Sequence, residues 1–239
     1  MLDIRRIPVL SDNYAWLLHD TERGVTAVVD PGEAAPIEAV IGDGALDLIL
    51  LTHHHADHVG GADALRRRYG ARVIGAASER RRLPVLDEGV SDGDAVMVGA
   101  ERAHVIATPG HADGHVSYVF PSVPALFCGD TLFSMGCGRL LEGSAEQLYA
   151  SLHRFDDLSD DTLVCCGHEY TLSNAKFAVH VDPDNVALQK RLHEVEHLRD
   201  GGEATIPVTL GTERATNPFL RAADVRTFAA LRKEKDSFR

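Results

Sequence analysis

The sequence predicts an α/β fold, an αββα sandwich of two sheets with helices outside them, followed by a C-terminal helical domain. Three observations carry this expectation. Short apolar or β-branched segments separated by turn residues recur through the first two thirds of the chain, helix-like stretches alternate with them, and beyond Gly167 the pattern turns helical.

Taken in order, strands are expected over 14–18, 25–29, 46–51, 72–74, 95–98, 104–107, 116–120, 125–128 and 162–165. Between them, 36–41, 62–69 and 145–155 read as helices covering the sheets. The tail reads as helices over 172–179 and 185–198, a proline-containing loop, and a last helix over 223–235. The chain is therefore divided into a layered α/β domain, 1–168, and a helical domain, 169–239, with no solenoid repeat.

With 44% hydrophobic residues, 25% charged residues and no low-complexity tract, a chain of 239 residues can bury a core. A formal net charge of -12 repels a phosphate backbone, so no nucleic-acid partner is expected. The longest aliphatic run, 48–51, is far below the roughly 20 residues of a bilayer span, so no membrane partner is expected either. Asp3, Arg5 and Arg6 interrupt the apolar stretch a signal peptide needs, which points to the cytoplasm. Cys128, Cys137, Cys165 and Cys166 lack Cys-x-x-Cys spacing and read as buried thiols in a reducing compartment. A monomer is expected.

The strongest chemical signal is Thr52-His53-His54-His55-Ala56-Asp57-His58, directly after the aliphatic strand. Alternate side chains of an extended segment share a face, so His53 and His55 can reach one metal ion together. Asp57 and His58, where the chain turns toward a helix, can serve a second ion nearby. Imidazole and carboxylate suit zinc, and also iron or manganese. His111, Asp130 and His168 each follow an expected strand with glycine before them, and glycine permits the tight turn that aims the next side chain inward. Any one of these residues could cap a helix or satisfy a core hydrogen bond. Their combination points to a metal centre.

The His-x-His-x-Asp-His pattern resembles the hallmark of the metallo-β-lactamase superfamily, and the whole chain is similar to its glyoxalase II, or hydroxyacylglutathione hydrolase, family. The resemblance implies two divalent metal ions, zinc with iron or manganese as alternatives. It places His53, His55 and His111 at one ion, Asp57, His58 and His168 at the other, and Asp130 between both. It implies hydrolysis of a small-molecule glutathione thioester of the S-lactoylglutathione type by metal-activated hydroxide, with Asp57 and Asp130 as catalytic carboxylates. Asp30 resembles a buried acid that supports such ligands; an ordinary turn aspartate is the other reading. Asp130 disfavours a β-lactam hydrolase, since such relatives carry cysteine there. The complete second ligand set separates the chain from sulfur dioxygenases.

By the same resemblance, Arg139, Tyr170, Asn174, Arg232 and Lys235 line the glutathione site. A ligand with two carboxylates needs cationic donors, although Arg232 and Lys235 also read as a solvated helix end. Leu141 stands where some relatives have a tyrosine, which predicts weaker or rearranged tripeptide binding. His193-Glu194-Val195-Glu196-His197 has zinc-protease spacing, but Leu188, Leu192 and Val195 form a separate apolar stripe. The two histidines, with Arg191, Glu196, Arg199 and Asp200 around them, read as a solvated face. A purely structural metal site would be closed and often cysteine-rich. The remaining alternative is a hydrolase of the same fold acting on another thioester, a lactone or a phosphodiester.

Overall fold

The computed structural model describes residues 1–238, so Arg239, the last residue of the expected 169–239 domain, lies outside the described residues. The chain forms two compact units, one of Met1–Ala107 with Gly114–Gly129, the other of Thr108–Asp113 with the chain from Asp130 onward.

In the first unit, β1 (Leu2–Val9), β2 (Asn13–Asp20), β3 (Val25–Val29), β4 (Leu48–Leu50), β5 (Arg72–Ala76) and β6 (Glu88–Val90) form one sheet in chain order. Tight turns make β1 to β3 antiparallel. Crossovers through α1 (Ala34–Ile41), and through α2 (Ala56–Val59) with α3 (Ala62–Tyr69), make β3, β4 and β5 parallel. One apolar cluster joins Val28 and Ile49 of the sheet to Ile37 of α1 and Leu65 of α3. A second sheet carries β7 (Ala95–Val98), β8 (Glu101–Ala107), β9 (Val116–Phe120) and β10 (Ala125–Gly129) in that order, each of these antiparallel to the next. Trp16 and Phe127 meet edge-on at 6.2 Å, and the Tyr118 hydroxyl donates to the Leu51 carbonyl at 3.0 Å, joining the two sheets. Burial pushes the Tyr118 phenol upward, so it stays a proton donor.

The second unit contains the hairpin β11 (Leu132–Phe133) and β12 (Gly136–Cys137), then α4 (Ala145–His153), β13 (Leu163–Cys166), α5 (Thr171–Val181) and α6 (Val186–Asp200). It closes with β14 (Val208–Thr209) paired antiparallel to β13, α7 (Leu210–Thr216) and α8 (Val225–Ser237). Ser144 and Gln147 form a reciprocal cap at the start of α4. Ala175 and Ala178 of α5 pack with Leu188 and Val195 of α6, and Phe219 packs against both Phe177 and Phe228.

Strand β1 departs from expectation. Arg5, Arg6 and Pro8 mask a strand in which Leu2, Ile7 and Val9 are nevertheless buried, and an edge strand tolerates a proline. Helix α7 lies where a loop was expected, because Gly211 and Thr212 weaken its pattern while Thr209 caps it. Among the described residues, no helix is long and apolar enough to cross a membrane.

Candidate metal centre and ligand pocket

In the first unit the histidine motif occupies the turn from β4 into α2. His53 Nε2 lies 3.0 Å from His55 Nδ1, and His58 Nε2 lies 3.5 Å from Asp57 Oδ2. The other ring nitrogens face oxygen: His53 Nδ1 is 3.0 Å from Thr52 Oγ1, and His58 Nδ1 is 3.0 Å from Asp30 Oδ2. Thr52 gives its hydroxyl proton to the same Asp30 Oδ2 at 2.6 Å and its backbone N–H to Oδ1 at 2.8 Å. Buried Asp30 thus favours an Nδ1–H tautomer on two imidazoles and leaves their Nε2 lone pairs for a metal. The Asn13 amide donates to Asp57 Oδ2 at 2.9 Å and to the Asp57 carbonyl at 3.2 Å. A Cβ on Gly32 would stand 2.0 Å from that carbonyl, so only glycine lets the Asp30 turn pack under the histidine loop.

In the second unit, His111 Nε2 and His168 Nε2 each lie 3.4 Å from Asp130 Oδ2. His111 Nδ1 donates to the Arg139 carbonyl at 2.9 Å, again freeing Nε2. The His168 ring stacks on Tyr170, with centroids 4.5 Å apart and planes 8° from parallel.

Neighbouring ligand atoms on a tetrahedral ion with bonds of about 2.05 Å stand ~3.3 Å apart. The donor separations of 3.0, 3.4, 3.4 and 3.5 Å within the two units fit that spacing. Nitrogen and carboxylate donors without a thiolate suit divalent first-row metal ions.

All five residues expected to bind glutathione line one pocket of about 330 Å³ in the second unit, together with Phe133. Arg232 is buried, donating to the Cys137 carbonyl and to Asp236 Oδ1 at 2.9 Å each, so it is not a solvated helix end. Lys235 is half-buried and donates to Ser173 Oγ and its carbonyl at 3.0 Å. Burial, and then Arg232, lowers the pKa of Lys235. Asn174 is buried, donating to the Ser134 carbonyl at 3.1 Å. Cys137 also borders the pocket, but burial holds its thiol up at about 11, which leaves it protonated at neutral pH.

Cys137 is a buried free thiol, as read, whereas sequence reasoning missed Asn13, which sits in no metal motif and gains meaning only from its place beside Asp57. His193 and His197 are exposed on α6, as read, whereas Arg191 is buried and donates to the Thr205 carbonyl at 2.8 Å. Leu141 is exposed.

Residues 10–168 match the family model described as Metallo-beta-lactamase superfamily, and residues 169–238 match that described as Hydroxyacylglutathione hydrolase C-terminus. A protein of Acidiphilium cryptum named hydroxyacylglutathione hydrolase is 54% identical, over 98% of this chain and 96% of its own length. One of the same name from Methylococcus capsulatus is 48% identical over 100% of both chains. The chain belongs to the hydroxyacylglutathione hydrolase family. The crystal structure of ETHE1 from Myxococcus xanthus is similar in fold, with a TM-score of 0.72 and 27% identity, covering 97% of this chain and 90% of that one. As a member of the hydroxyacylglutathione hydrolase family, the chain is a metal-dependent hydrolase of metallo-β-lactamase fold with a C-terminal helical region. The two family models meet at residues 168 and 169, while the compact units divide at Gly129 and Asp130, with Thr108–Asp113 also belonging to the second.

Proposed function

We propose that the chain hydrolyses the thioester of S-(2-hydroxyacyl)glutathione, S-lactoylglutathione being representative, to glutathione and a 2-hydroxy acid. The observation that carries this reading lies within the second unit. Tyr170 lines the cationic pocket and stacks on His168, while Arg139 lines the same pocket and its carbonyl orients His111. A pocket suited to an anionic thiol carrier therefore adjoins metal-ligand side chains.

In this reading His53, His55 and His111 hold one divalent ion, Asp57, His58 and His168 hold the other, and Asp130 serves both, with zinc favoured over iron or manganese. When bound, such ions acidify water toward neutral pH and stabilise negative charge on a carbonyl oxygen. Asp57, its carboxylate held by Asn13, and Asp130 orient the attacking water. Arg139, Arg232 and Lys235 attract the glutathione carboxylates, and Tyr170 and Asn174 complete the wall. A thiol with a pKa of about 8.5 leaves without a strong general acid. The functional division falls at 168/169: the first part supplies the metal ligands and the second most of the glutathione contacts. The enzyme acts as a cytoplasmic monomer.

Steady-state hydrolysis of S-lactoylglutathione, a coenzyme A thioester and a β-lactam by one metal-analysed sample tests the proposal. S-lactoylglutathione is expected to show the highest kcat/KM by a wide margin. Equal or faster turnover of the coenzyme A thioester would overturn it.

A further inference from the structure

The hairpin of β11 and β12 begins two residues beyond Asp130, places Phe133 and Cys137 on the pocket wall, and leads into Arg139. With strands of two residues each it is too short to hold itself. Its turn residue Met135 adopts φ +53, a left-handed conformation unfavourable for any residue with a Cβ. The turn is held from α7. Glu213, fully buried, accepts from Ser134 Oγ through Oε1 and from the Met135 N–H through Oε2, each at 2.7 Å. Asn217, also fully buried, donates to the Phe133 and Gly136 carbonyls at 3.1 and 2.9 Å and to Glu213 Oε2 at 3.0 Å. Burial raises the Glu213 pKa, against which these hydrogen bonds and Arg191 act. Asn174 of the pocket wall is tied to the same turn through the Ser134 carbonyl.

We propose that Glu213 is a positioning residue: through Ser134, Met135 and Asn217 it fixes the hairpin so that Phe133 and Arg139 present a formed pocket to the ligand. Glu213 touches no pocket space itself. Its influence is on binding, not on the reacting atoms. The inference rests on the functional reading above, because it concerns how the glutathione pocket is shaped.

Steady-state kinetics with S-lactoylglutathione, metal content and thermal melting of the holoenzyme test it. Glu213→Ala is expected to raise KM about tenfold while kcat stays within about threefold and metal content is unchanged. Glu213→Gln is expected to recover most of that loss, since its oxygen can accept from Met135 and Asn217 while its amide donates to Ser134 Oγ. Ser134→Ala removes one bond from the other side and is expected to raise KM about threefold, with the double variant no worse than Glu213→Ala. If Glu213→Ala does not fold, Ser134→Ala decides the matter: a KM raised about threefold supports the positioning role, and an unchanged KM overturns it. A KM unchanged in Glu213→Ala and Ser134→Ala, or a loss confined to kcat, overturns the positioning role. A wild-type protein that leaves S-lactoylglutathione intact overturns the functional reading instead.

Discussion

Asp30 Oδ2 and His58 Nδ1 stand 3.0 Å apart in a site closed to solvent, and the same oxygen accepts the Thr52 hydroxyl at 2.6 Å. The carboxylate therefore acts on His58 directly and on His53 through Thr52. Asp30→Ala is expected to weaken metal binding by about 10- to 100-fold. Competition with a chromogenic chelator measures this, and an affinity equal to wild type contradicts the role given to Asp30.

Asn13 restrains Asp57 by two hydrogen bonds from one amide. Asn13→Ala is expected to lower kcat about tenfold with little change in KM, because the carboxylate loses its orientation while the pocket is untouched. Asn13→Asp places like charge beside Asp57 and is expected to do worse. Retention of full kcat in both variants would remove Asn13 from the site.

The depressed pKa of Lys235 has a kinetic consequence. Burial disfavours its charged form, so the side chain loses its proton at a lower pH than the roughly 10.4 of a free lysine. Anion binding needs the charged form. KM is therefore expected to climb as pH rises through that lowered value, and Lys235→Ala is expected to show a high KM without the climb. A KM profile of Lys235→Ala parallel to wild type between about pH 7 and 10 would assign the titration elsewhere.

Much of this was legible in the sequence, for physical reasons that also explain the gaps. The aliphatic run of β4 reads clearly because the strand is buried along its length, and the histidines after it announce themselves by spacing. The pocket residues carry little local pattern, and only the resemblance singled them out. Asn13 and Glu213 were invisible for a different reason. Each is an ordinary polar residue whose importance comes from partners distant in sequence, such as Ser134 lying 79 residues before Glu213. Helix α7, which carries that glutamate, was hidden by its own poor helix formers.

Asp20 sets an acid limit on stability. Its carboxylate accepts from the backbone N–H groups of Ala100 at 2.7 Å, Glu22 at 3.0 Å and Arg23 at 3.3 Å, and the Ala100 bond is the main cause of a pKa lowered to about 2. A folded value below the unfolded one of about 3.9 means that the stabilisation is complete above that pH and is lost as pH falls through the folded value. Asp20→Ala is expected to melt below wild type at neutral pH, with the gap narrowing under about pH 4. A gap independent of pH would show that the carboxylate charge contributes nothing.

Titration of Zn²⁺ into chelator-stripped protein, with S-lactoylglutathione hydrolysis followed at each addition, tests most directly whether a paired metal centre drives the chemistry. Activity is expected to be absent at the start and to reach its plateau at about two equivalents of metal. Full hydrolysis by the stripped protein, or a plateau at one equivalent, would contradict a two-ion enzyme.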